Sequence, residues 1–151
     1  MKYKLYTISV LAIIILFFVS CSVFKTSKSN QLLFELETTS CYGTCPVYKL
    51  QVFDNGEAIL EGKQHVDKIG IYRSKISDEK LKELIESFDN VSFFDLQDSY
   101  RSQFTDLPTK YITYYKDGKS KQVMAYDNIP KKLKVLIKDL EQLVKEQDWE
   151  K

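Results

Sequence analysis

Three cysteines are the side chains of this sequence best suited to chemistry. Cys41 and Cys45 stand four apart in Cys-Tyr-Gly-Thr-Cys-Pro, and Cys21 follows an apolar run. A redox pair usually has the spacing Cys-x-x-Cys and a helix N-terminus that lowers the thiol pKa, whereas residues 47–53 alternate as a strand does. A structural zinc site needs four ligands, and His65 is the chain's one histidine. The pattern favours a disulfide over its two alternatives, a redox couple and a metal site.

A disulfide between Cys41 and Cys45 requires the chain to curl. Residues four apart in an extended strand are separated by about 13 Å, but disulfide-bonded Cα atoms lie about 4.4 to 6.8 Å apart. Gly43 permits the curl and Pro46 prevents it from continuing as a helix. Such a small ring stabilises the fold by about 2 kcal/mol, which is enough to fix a loop.

The N-terminus indicates that the chain leaves the cytoplasm. Lys2 and Lys4 precede an apolar run at residues 8–19, which is shorter than the roughly 20 residues of a membrane-spanning helix. The next residues, Phe18-Val19-Ser20-Cys21, resemble the bacterial lipobox. That resemblance implies that residues 1–20 are a signal peptide and that Cys21 carries covalent lipid, palmitate included. The alternatives are an ordinary signal peptide or an uncleaved anchor helix.

The residues after Cys21 predict the location of the protein. Ser22, by its similarity to lipoprotein sorting signals, favours the outer membrane, and the lack of an acidic cluster there favours its periplasmic face. Residues 21–31 are polar and predict a lipidated tether, followed by one globular domain at residues 32–148. The oxidising periplasm favours the disulfide. The 22 Lys and Arg nearly balance 21 Asp and Glu, which argues against a nucleic-acid partner.

The periodicity of the apolar residues predicts an α+β fold. Alternation predicts half-buried strands, and Asn55-Gly56 predicts a tight hairpin turn. Helical spacing of leucines predicts one helix after the cap Ser77 and a second beginning at Pro130. We expect an antiparallel sheet of about five or six strands with two helices on one face, built as hairpin and helix twice. The predicted strands are residues 32–38, 47–53, 57–62, 70–74, 110–115 and 122–126.

Candidate binding residues lie in the irregular segment 91–108 and in one hairpin. The segment concentrates Tyr100, Arg101, Thr105 and Asp106, and Tyr115 belongs to a group of tyrosines around the second hairpin. Loops on a rigid scaffold often carry binding groups, although Asp106 can equally well serve an Asx turn before a proline. Neither a calcium loop nor a carboxylate pair for glycoside chemistry is well supported by the spacing. We predict no catalytic residue, no metal ligand and no cofactor beyond the lipid on Cys21.

The motifs taken in order resemble an uncharacterised domain family of Bacteroidota lipoproteins. They are the lipobox, Cys-x-Gly-x-Cys-Pro-x-Tyr at residues 41–48, Asp-Asn-Gly at 54–56, Phe-Phe at 93–94 and Thr-Asp-x-Pro at 105–108. The resemblance implies a location but no substrate or catalytic residue. We therefore expect a membrane-anchored periplasmic lipoprotein that is a non-enzymatic binding or structural module for an envelope protein or peptide. The alternative is an envelope hydrolase or a thiol-dependent enzyme.

Overall fold

Alternating apolar residues build a sheet that two amphipathic helices cover. The structure, a computed structural model, describes residues 30–103 and 106–151. Cys21, and with it the predicted signal peptide and most of the tether, lies outside the described residues. The strands are β1 (Leu32–Thr38), β2 (Val47–Phe53), β3 (Glu57–Gln64), β4 (Gly70–Lys75), β5 (Ser99–Tyr100), β6 (Lys110–Lys116) and β7 (Lys119–Ala125). The helices are α1 (Asp78–Asn90) and α2 (Lys131–Glu146), with a 3₁₀ turn at Phe93–Asp95.

The sheet has seven strands in the order β4-β3-β2-β1-β6-β7-β5. All neighbouring pairs are antiparallel except β5 and β7, which are parallel. The α+β class is confirmed, but the prediction of five or six antiparallel strands was wrong, since the sheet is mixed and has seven. The unpredicted strand is β5, whose two residues are too few to show alternation. It forms because the edge of β7 offers backbone groups: the Met124 N–H donates to the Asp98 carbonyl, and the Tyr126 N–H to the Tyr100 carbonyl.

The turns and helix ends follow local sequence signals. Gly56 has a φ of 84° in the turn that joins β2 to β3, a conformation that glycine adopts without strain. The Ser77 hydroxyl accepts the Lys80 N–H at 3.2 Å and caps α1, as predicted. Pro130 occupies the N-cap of α2, one position before the predicted one. Four strands precede α1, and three strands, β5, β6 and β7, lie between α1 and α2, so the predicted plan of hairpin and helix twice is only approximate.

The core lies between one face of the sheet and the two helices. Phe88 of α1 stacks on Tyr114 of β6, with ring centroids 4.2 Å apart, and also contacts Phe34 of β1 and Phe93 of the 3₁₀ turn. Helix α2 contributes Leu133, Leu136, Ile137, Leu140 and Leu143, all of which are buried. Because the apolar faces of both helices point to the same side, the other face of the sheet remains open.

The open face carries polar cross-strand ladders. Lys49 of β2 lies 2.9 Å from Glu35 of β1, and the Gln51 amide donates to the same carboxylate at 2.7 Å. The hydrogen bond that the Lys49 ammonium donates to Glu35 raises the Lys49 pKa. In the same cross-strand row, the Gln122 amide donates to the Thr113 hydroxyl at 3.1 Å. Such ladders satisfy polar side chains without a covering layer.

Within residues 30–103 and 106–151, no helix is long and apolar enough to cross a membrane.

Candidate functional site

The predicted disulfide between Cys41 and Cys45 is confirmed. Their Cα atoms lie 5.7 Å apart, at the end of the sheet where β1 leads towards β2. The Thr38 hydroxyl donates to the Pro46 carbonyl at 2.8 Å and accepts the Tyr48 N–H at 3.1 Å, so both sides of the loop are fixed to one threonine. The loop is therefore held rigidly against the end of the sheet.

A cleft of about 440 Å³ opens beside this disulfide. Its floor is a cross-strand row at the end of the helix-covered face, in which Lys110 pairs with Thr38 and Tyr48 pairs with Gly62. The walls come from Cys45 and Pro46, from Pro108, from the loop between β3 and β4, and from the last turns of α2. A cleft of this size is within the range of small-ligand sites, which are commonly about 300 to 1,000 Å³.

The loop between β3 and β4 closes one side of the cleft because Gly62 has no side chain. A Cβ atom at Gly62 would overlap the carbonyl oxygen of Lys68, since the loop folds back directly over the strand. Val66 packs against the hydrophobic core from this loop. His65 begins it with a φ of 52° and is exposed at the rim of the cleft.

Tyr48 is the most unusual residue of the cleft. It is only 6% exposed, yet its hydroxyl forms no hydrogen bond with the described residues and, since every buried side-chain oxygen there has a partner, contacts the solvent of the cleft. Burial, and secondarily the negative charge of Glu141, raises the Tyr48 pKa well above its ordinary value. The phenol therefore stays protonated at neutral pH and offers an O–H donor to the cleft.

The charged groups of the cleft come from three separate elements. Lys110 of β6 lies 3.1 Å from Glu141 of α2, and both side chains are about three-quarters shielded from solvent, with exposures of 27% and 32%. Lys145 follows Glu141 by four residues and lies on the same helix face. Lys68 and Asp67 reach the cleft from the loop between β3 and β4.

Comparison with protein families matches residues 32–144 to a domain of unknown function named DUF6438. The chain belongs to this family. The matched residues include every strand, all of α1 and all but the last two residues of α2. They also include the disulfide and the cross-strand row that forms the floor of the cleft. No curated protein and no solved structure shows significant similarity to the chain.

The candidate binding residues predicted from the sequence do not gather at one place in the DUF6438 domain. Tyr100 and Arg101 lie beside the end of β7, where the Tyr100 hydroxyl accepts the Gln97 N–H at 3.2 Å and Arg101 lies 3.4 Å from the Met124 sulfur. Asp106 is exposed, and Thr105 lies outside the described residues.

Tyr115 is separated from the other candidates by most of a strand. It lies five residues beyond Lys110 on β6, a distance of about 16 Å. There it borders a second, shallow depression at the turn between β6 and β7. The predicted candidates thus mark at least two regions of the surface, and of the predicted site residues that the structure describes, only Cys45 lines the cleft.

Sequence reasoning missed Tyr48, Lys110, Glu141 and Lys145 as parts of one site. Tyr48 occupies an inward-facing strand position, and its pattern alone predicts a core residue. The signal that could have identified Tyr48 is chemical, because the hydroxyl of an inward-facing tyrosine needs a hydrogen-bond partner. Tyr48 also follows the disulfide loop by only three residues. Within the described part of the chain, no group of three or more His, Cys, Asp or Glu could hold a metal ion.

Proposed function

We propose that this protein is a membrane-anchored envelope lipoprotein whose DUF6438 domain binds a ligand in the cleft beside the disulfide, without catalysing a reaction. In this proposal the lipid on Cys21 holds the protein at the periplasmic face of the outer membrane. The tether of residues 21–31 lets the domain reach an envelope protein, a peptide or a soluble molecule. The support for anchoring and location is the N-terminal sequence.

The observation that carries the binding proposal is the Tyr48 hydroxyl. Within the described residues every buried side-chain oxygen or nitrogen has a hydrogen-bond partner, so the Tyr48 hydroxyl, which bonds to none of them, is in contact with the solvent of the cleft. Tyr48 lies in the floor of this cleft, 6% exposed, beside the Lys110–Glu141 ion pair. A ligand that accepts the O–H would replace water at a donor that the fold holds in place.

The protonation states in the cleft favour binding over catalysis. The raised pKa keeps the Tyr48 phenol from acting as a base near neutral pH, and Glu141 is neutralised by Lys110. The two cysteines are joined to each other and so provide no thiolate nucleophile. These groups can hold and orient a polar ligand, which is the behaviour of a binding module.

Amide NMR of the ¹⁵N-labelled full-length protein in a mild detergent tests the binding proposal. A fragment mixture containing neutral, cationic and anionic compounds should shift amide signals of the cleft, those of Tyr48, Gly62 and Lys68 among them. The shifts should weaken in Tyr48→Phe and persist in the matched control Tyr115→Phe. If no fragment of any class shifts the cleft signals, the cleft is not a binding site.

Cell fractionation tests the anchoring proposal separately. Cys21→Ala should move the protein out of the membrane fraction and abolish incorporation of labelled palmitate, because the acceptor of the lipid is gone. A Cys41→Ala control should keep the label. Continued labelling of the Cys21→Ala protein would contradict the lipoprotein assignment.

A further inference from the structure

We propose that the ligand of the cleft is a carboxylate monoanion carried on a small aliphatic body, such as the carboxyl end of a peptide or a free branched-chain acid. This inference rests on the proposed binding function and specifies its chemistry. It follows from the charges, the buried donor and the apolar wall of the cleft.

The charges of the cleft leave an excess of one positive charge. Lys110 and Glu141 neutralise each other at 3.1 Å. The remaining charged residues of the lining are Lys68 and Lys145, which are positive, and Asp67, which is negative. Their sum is a net charge of one positive unit. An excess of one favours a single negative charge on the ligand.

The Tyr48 hydroxyl adds direction to this charge. A lysine ammonium is a compact charge with rotatable donors, whereas a buried phenol donates one hydrogen bond from a fixed ring. Tyr48 is anchored at its backbone, because its N–H donates to Thr38. Hydrogen bonds between a neutral donor and a carboxylate are stronger than those between neutral groups. A carboxylate could accept a hydrogen bond from the Tyr48 hydroxyl at one oxygen and from a lysine ammonium at the other.

The rest of the lining is aliphatic. Leu60 in the floor, Val66 in the loop and Val144 on α2 provide branched apolar surface, and Pro46 and Pro108 border the opening. Within the described residues, Tyr48 and His65, at the rim, carry the rings that line the cleft. Such a wall suits a Val-sized or Leu-sized group attached close to the carboxylate.

Isothermal titration of the full-length protein in detergent can test the carboxylate directly with a matched pair of probes. N-acetyl-leucine carries the carboxylate, and N-acetyl-leucine amide replaces it with a neutral group of almost the same shape. The carboxylate should bind at least tenfold more tightly, with amide NMR placing it in the cleft. Equal binding of the two probes would overturn the inference.

Variants show whether the named groups cause this preference. Tyr48→Phe should weaken N-acetyl-leucine binding about tenfold to a hundredfold, and Lys145→Met should weaken it several-fold and reduce its salt dependence. The matched control Lys82→Met, on the exposed side of α1, should change nothing. Unchanged affinity in both cleft variants would refute the assignment.

Two further probes separate the sources of the carboxylate and the two levels of the proposal. Tighter binding of N-acetyl-Ala-Ala-Leu than of 4-methylpentanoate identifies a peptide end, and the reverse identifies a free acid; either supports the carboxylate. If neutral or cationic fragments bind the cleft but these carboxylates do not, the carboxylate inference fails and the binding function stands. If nothing binds the cleft, both fail.

Discussion

Replacing Tyr48 by Phe should leave the fold about as stable as before, although Tyr48 is one of the most buried polar residues. The substitution deletes one oxygen atom and keeps the ring that packs in the floor of the cleft. In most proteins the removal of a buried tyrosine hydroxyl breaks a hydrogen bond. Here the described chain shows no bond donated by that hydroxyl, so there is none to break.

The size of the effect follows from the environment of the hydroxyl. The Tyr48 hydroxyl contacts the solvent of the cleft, because every buried side-chain oxygen or nitrogen of the described residues has a partner. Its removal therefore breaks no internal hydrogen bond and relieves no buried unpaired group. We expect the free energy of unfolding of Tyr48→Phe to stay within about 0.5 kcal/mol of the wild-type value.

Urea unfolding, followed by the fluorescence of the single tryptophan, measures this change. Trp149 packs against the core and its indole N–H donates to the Val144 carbonyl at 2.9 Å, so its emission should report global unfolding. The matched control is Tyr126→Phe, since the Tyr126 hydroxyl accepts the Leu107 N–H at 3.2 Å. This control should lose about 0.5 to 1.5 kcal/mol.

The comparison of the two variants decides the question. If Tyr48→Phe loses between about 0.5 and 1.5 kcal/mol, as the control is expected to, then the hydroxyl has a partner within the folded protein. The argument that it awaits a ligand would then be refuted. A Tyr48→Phe variant of unchanged stability that no longer binds N-acetyl-leucine would instead show that the hydroxyl serves binding and not the fold.

Three other substitutions test the surroundings of the cleft by the same unfolding assay. Cys41→Ser with Cys45→Ser should lower the free energy of unfolding by about 2 kcal/mol because the closed ring is lost; an unchanged midpoint would count against a stabilising clip. Gly62→Ala should cost about 1 to 3 kcal/mol and weaken probe binding, because its Cβ would displace the loop that walls the cleft; wild-type values for both would show that the loop adapts. A hydrogen bond from Ser102, followed by one from the backbone, lowers the Asp127 pKa. Because the folded-state pKa is the lower one, the stability it provides is present above pH 4 and lost as the pH falls. The unfolding midpoint of Asp127→Asn should therefore fall less steeply than that of the wild type below about pH 4. The same pH dependence in both proteins would show that Asp127 does not contribute to acid sensitivity.

The regular part of the fold could be predicted because its signals are local. Strands β1 and β2 have the bounds that alternation predicts, and the glycine turn after β2 joins it to β3 as expected. The disulfide was predictable for the same reason, since five residues that curl bring Cys41 and Cys45 together whatever the rest of the chain does. Strand β5 was not, because its pairing depends on the edge of β7 and not on its own two residues.

The candidate site divides in the same way. The sequence by itself determined the strands, the amphipathic helices and the disulfide. The periods of two and 3.6 residues, and the small ring that the disulfide closes, depend only on residues near one another in the chain. Only the tertiary structure decided that Tyr48 lies beside Glu141 and Lys110. These three residues meet because strand register aligns Lys110, Thr38, Tyr48 and Gly62 in one row and α2 crosses the end of that row. Register and helix placement depend on the packing of the whole core, which no local pattern encodes.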